Sequence, residues 1–109
     1  MEIVFQNQHL RDLCEKKKLA ERKLGYICAK KLRLRLNEIR AASTVKDLAF
    51  GRPHPLQGKR LGEMALDLTG GYRLVFAPAE TPIPTNADGS VDWSRVTIIE
   101  IEYIGDYHD

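Results

Sequence analysis

The chain is poor in cysteine and tryptophan, and it has no long apolar run. Its two cysteines, Cys14 and Cys28, fall in expected helices without the spacing of metal ligands. They read as small buried hydrophobes in a reducing compartment, not as a disulfide framework or a zinc site. No apolar stretch approaches a membrane span, and Met1-Glu2 opens a short mixed segment with no signal-peptide pattern. A cytoplasmic protein is therefore expected. A Walker loop, a dinucleotide glycine motif and a nucleophile elbow are all missing, so no cofactor and no metal are expected. There are no internal repeats and no low-complexity tract. With 109 residues, 43% of them hydrophobic, the composition implies one folded domain over residues 1–109 with one modest core.

Charge is present in quantity but unevenly placed. The formal net charge is only +2. Residues 1–60 nevertheless hold fifteen Lys/Arg against six Asp/Glu, and residues 61–109 hold two against nine. A basic half can form the electrostatic footprint of a nucleic-acid partner while the acidic half faces away. Solvated helix faces would give the same count.

Glu2 to Phe5 reads as an opening strand. Asn7 is a plausible N-cap for a first helix of about ten residues, with Leu10, Leu13 and Cys14 as its apolar stripe, fraying in Lys16-Lys17-Lys18. A second helix is expected from Ala20 to Ala42, buried through Leu24, Ile27, Cys28, Leu32, Leu36 and Ile39. Its fit is imperfect, because Arg35 projects close to the stripe and Leu34 lies off it. Ser43-Thr44 opens a loop, and two prolines stiffen the backbone around His54. Three strands follow: Glu63 to Leu68, Tyr72 to Phe76 and Val96 to Ile104, the first two joined by a hairpin at Thr69-Gly70-Gly71. Ala77 to Arg95 is long for a connection, so an ordered excursion or a flap is expected. The order predicts an α+β layer, two helices packed on one face of a largely antiparallel sheet, with the other face receiving side chains such as Arg73.

Three segments carry the groups able to do chemistry. His54 sits in a rigid loop with Lys59 close behind it. Arg73 lies inside a strand, and Asp106-Tyr107-His108 follows another. Histidine exchanges protons near neutrality, arginine clamps phosphate in bidentate fashion, and lysine stabilises charge on a phosphorane. Asp106 can fix a histidine tautomer, and Tyr107 can stack on a base. Taken singly, each has a bland structural reading: a bonded loop histidine, a solvent-facing strand arginine, a solvated turn lysine, a chain tail. Together they make a set for acid–base cleavage of an RNA phosphodiester, with the 2′-OH as nucleophile.

These pieces, His54-Pro55-Leu56-x-Gly58, Gly71-Tyr72-Arg73-Leu74-Val75-Phe76 and Asp106-Tyr107-His108, resemble the HigB-type toxins of the RelE/ParE superfamily in order and spacing. The resemblance covers nearly the whole chain. It implies a microbial-ribonuclease-like fold and ribosome-dependent cleavage of mRNA. It also implies a neutralising antitoxin, with operator DNA bound only through that antitoxin. Family acid–base residues map onto His54, Asp106 and His108, the strand arginine onto Arg73, the basic loop residue onto Lys59 and the aromatic position onto Tyr107. The basic second helix, with Lys23, Lys30, Lys31, Arg33 and Arg35, would contact ribosomal RNA, joined by Arg60. The Pro78 to Trp93 segment departs from compact family members. The superfamily also holds gyrase-poisoning members without ribonuclease residues, and a non-catalytic or purely partner-binding role is the alternative.

Overall fold

The computed structural model describes residues 1–106. Tyr107 and His108 of the expected site lie outside the described residues. The opening strand β1 is Glu2–Phe5. Helix α1, Gln8–Glu15, starts where Asn7 turns extended and its side chain accepts a hydrogen bond from the Leu10 amide at 2.9 Å. That cap satisfies one of the orphan amides of the first turn, a contribution of about 1 kcal/mol.

The expected helix from Ala20 to Ala42 is two helices. Helix α2 is Lys17–Leu24 and α3 is Tyr26–Ala41. The break is Gly25, at φ +85° and ψ 159°, a backbone region that side chains with a Cβ scarcely enter. The lysine run expected to fray instead opens α2. One arc of α3 is buried through Cys28, Ala29, Leu32, Arg35, Leu36 and Ile39. Ile27, expected in that arc, is 69% exposed.

Strand β2 is the two-residue His54–Pro55, followed by β3, Met64–Asp67, β4, Arg73–Pro78, and β5, Ile98–Gly105. The sheet order is β1-β5-β4-β3-β2. β1 runs parallel to β5 and every other pair is antiparallel. Pro55 is tolerated because β2 is an edge. The hairpin turn closes with Tyr72 N–H bonded to the Thr69 carbonyl, and Gly70 and Gly71 supply its positive φ angles.

All three helices lie over one face of this sheet. There Leu10, Leu32, Leu36 and Ile39 meet Met64, Leu66, Leu74, Phe76, Ile99 and Ile101 in the main core. Strand alternation explains the choice of residues: Met64 and Leu66, Leu74 and Phe76, Ile99 and Ile101 point the same way. The stretch from 79 to 97 is an ordered excursion. Thr85 bridges Val91, the Glu80 carboxylate accepts from the Thr97 amide and hydroxyl, and Trp93 meets Phe76 edge-on at 6.4 Å. Among the described residues no helix is long and apolar enough to cross a membrane.

Candidate active site

The residues between the core-facing ones point to the other, helix-free face. Two rows cross it. The first pairs His54 with Ala65, Ala65 with Val75 and Val75 with Tyr103. Leu56, Ala65 and Val75 form a small apolar cluster there with Tyr103 packed against it. The second row pairs Asp67 with Arg73 and Arg73 with Gly105. His54 and Arg73 thus share one face of one sheet.

Asp67 joins them. Its carboxylate takes Arg73 Nε at 2.9 Å and Arg52 Nε at 2.8 Å. Burial pushes the Asp67 carboxyl up. The Arg52 hydrogen bond and the charges of Arg73, Arg52 and His54 outweigh it and hold the group below the usual carboxylate range. Asp67 is ionised at neutral pH and keeps the Arg73 guanidinium in place.

His54 is oriented by its own loop. Its Nδ1 lies 2.8 Å from the Arg52 carbonyl. A carbonyl only accepts, so Nδ1 carries the hydrogen, and in the neutral ring Nε2 keeps a free lone pair. Arg52 holds φ 49°, a left-handed conformation uncommon away from glycine. The strained residue thus fixes both its carbonyl against His54 and its guanidinium against Asp67.

Tyr103 closes the face on the β5 side. A Cβ built on Gly105 would stand 2.7 Å from the Tyr103 hydroxyl. The ring therefore leans over Gly105, the residue opposite Arg73. Arg60 stacks on that ring at 4.9 Å and pairs with Glu63 at 3.1 Å. Beyond it lies a bulge: Val75 faces Tyr103 but Phe76 faces Ile101, so Glu102 is the extra residue. Burial, a hydrogen bond shared with Glu100 and the charges of Glu100 and Glu63 push the Glu102 carboxyl up to about 7, against the pull of Arg60.

Of the expected site residues, His54 and Arg73 are thus on the open face, and Arg60 joins them there from a 3-10 turn, Gly58–Arg60. Lys59 is exposed on the same turn. Asp106 follows β5, its carboxylate oxygens 3.4 Å from where a Cβ on Gly71 would stand. The expected RNA contacts of α2 and α3 are not here. Lys23 and Lys30 are exposed, and Lys31 and Arg33 half-buried, on the helical layer across the sheet. Arg35 is corrected outright. It is 8% exposed, donates to the Asp67 carbonyl at 3.1 Å and pairs with Glu38 at 2.8 Å. Its carbon stem completes the buried arc of α3, and its charge steadies β3 from within.

Asp67, Arg52, Tyr103 and Glu102 were missed in the sequence. Alternation was the available signal for Asp67, the outward residue after Met64 and Leu66, and for Glu102, outward in step with core-facing Ile99 and Ile101. Tyr103 faces outward only because the bulge shifts the register after Ile101, which alternation does not show.

No protein-family model matches the sequence, and no curated protein does. Solved structures do match in fold. YoeB in the YoeB–YefM complex of Staphylococcus aureus superposes with a TM-score of 0.59 at 18% identity, covering 100% of this chain and 98% of that one. A YoeB/ParE toxin from Agrobacterium tumefaciens gives 0.56 at 16% identity, covering 99% and 100%. A YoeB dimer from Staphylococcus aureus gives 0.57 at 20% identity, covering 100% and 98%. Full mutual coverage at such low identity is a likeness of backbone: three helices on a five-stranded, mostly antiparallel sheet, the RelE-like fold of the YoeB toxins.

Proposed function

We propose that the chain is the toxin of a bacterial toxin–antitoxin module and cleaves mRNA on the ribosome by acid–base catalysis. The observation that carries this reading is the alignment of His54, Asp67 and Arg73 on the open face. His54 Nε2 takes the proton of the ribose 2′-OH. Arg73 stabilises the charge that builds on the phosphate as the 2′ oxygen attacks. The 5′ leaving oxygen is protonated from the Asp106-Tyr107-His108 segment, where the HigB resemblance puts an acid, and Lys59 adds positive charge. So few groups rely on the ribosome to hold mRNA in line for attack. The fold shared with YoeB supports the toxin reading, and the YoeB–YefM pairing supports a cognate antitoxin for this chain.

One observation favours the non-catalytic alternative. Arg73 is already neutralised by Asp67, so a phosphate must compete with a carboxylate for it. The test is expression of the chain alone with mapping of mRNA 5′ ends. New ends are expected with wild type. Arg73→Ala should reduce them about 10²–10³-fold, the usual cost of losing one preorganised donor, while circular dichroism shows a folded protein. Growth arrest with gyrase-linked DNA breaks and no new mRNA ends would transfer the assignment to the gyrase-poisoning alternative.

A further inference from the structure

Helix α3 is apolar on two sides. Its buried arc faces the core, yet Tyr26 is 61%, Ile27 69% and Leu34 46% exposed. Ile27 and Leu34 stand seven residues apart, two turns or about 10 Å along one line of the helix. An aliphatic line on the side of a helix turned away from the core is apolar surface that a partner can cover. The flanks of this line are basic: Lys23 at the end of α2, then Lys30 and Lys31 between the two aliphatic residues. We infer that this outer face of α3 is a docking surface for an acidic amphipathic helix of a partner protein.

Three arguments select that occupant. The seven-residue repeat is the pitch at which one helix packs against another, with charged flanks choosing the partner. Lysines on the flanks complement Glu and Asp on the incoming helix and bring like charges together if a second copy of this chain docks instead. An RNA backbone would pair with the lysines but would leave Ile27 and Leu34 without apolar cover. The surface lies on the helical layer, across the sheet from His54, Asp67 and Arg73. A partner held here leaves the open face uncovered, and the inference stands whether or not the chain cleaves RNA.

The test uses the whole chain and a three-heptad peptide with a Leu/Ile seam and Glu flanks, a Lys-flanked counterpart, and a short single-stranded RNA. Binding of the Glu-flanked peptide is expected, with amide shifts by NMR centred on residues 26–34. Ile27→Ser with Leu34→Ser should weaken it at least about tenfold, since each removes a buried aliphatic contact. Lys30→Glu with Lys31→Glu should weaken it and admit the Lys-flanked peptide. Ile27, Lys30 and Leu34 are exposed and Lys31 is half-buried, all outside the core, so the variants keep the fold, checked by circular dichroism. Failure of the Glu-flanked peptide to bind overturns the inference, as does binding that neither double variant alters. RNA binding that needs the lysines but ignores Ile27 and Leu34 would make this a nucleic-acid face. Self-association lost in the Ile27→Ser, Leu34→Ser variant would make it a contact between copies.

Discussion

At the scale of single residues, the open face depends on where a side chain is missing. Gly105 has no side chain, and the Tyr103 ring occupies the space one would take. Gly105→Ala should destabilise the protein by about 1–3 kcal/mol, the usual cost of overpacking, read by urea denaturation. Tyr103→Ala in the same chain should cost less than it does in wild type, because it removes the clash; strictly additive costs would count against the stacked geometry. Arg35 shows how a residue type misleads. An arginine in a basic helix suggests a nucleic-acid contact, yet this one is buried between Glu38 and a strand carbonyl. Nothing in the sequence marks the difference except its position beside the apolar stripe. His54 and Arg73 were readable as candidates because prolines and a strand framed them. Their partner Asp67 was not, since an outward acid on a strand is ordinarily just solvated.

At the scale of elements, β1, β3, β4 and β5 end within a residue or two of the expected bounds, because alternation and turn glycines are local signals, whereas the two-residue β2, expected as loop, is too short to show an alternation. The long helix was misread for an equally local reason. Gly25 lies inside a continuous apolar rhythm, where glycine is tolerated in a helix at about 1 kcal/mol, and only its positive φ makes it a break. Gly25→Ala should therefore lower stability by about 1–3 kcal/mol through strain, since no neighbouring atom would touch the new methyl group. Thermal denaturation measures this. An unchanged or raised midpoint would mean that α2 and α3 can join as one helix. The same uncertain rhythm concealed the two-sided character of α3. Leu34 fell off the buried stripe because it belongs to the opposite one.

At the scale of the whole molecule, the charge asymmetry of the sequence becomes a layering. The helical layer carries most of the lysines, and the open face carries Glu63, Asp67, Glu100 and Glu102 around Arg52, Arg60 and Arg73. The carboxylates give the molecule a pH response. The Glu102 carboxyl, near 7 in the fold against about 4.5 ordinarily, holds its proton more tightly folded than unfolded. Its contribution to stability is therefore complete below about pH 4.5 and fades as the pH rises through 7. Glu102→Gln should stabilise the protein above pH 7 and leave it unchanged at pH 4; equal effects at both would deny the link to protonation. The strand order has a consequence in time. β5 lies between β1 and β4, yet it is the last of the five strands to be synthesised. Until it leaves the ribosome, the first strand has no neighbour and the outer side of β4 is bare, although His54 and Arg73 are already in the nascent chain. A translation product stopping before residue 98 thus holds the three strands that pair His54, Asp67 and Arg73, but lacks the strand that ties them to β1 and brings Tyr103 and Glu102 to the open face.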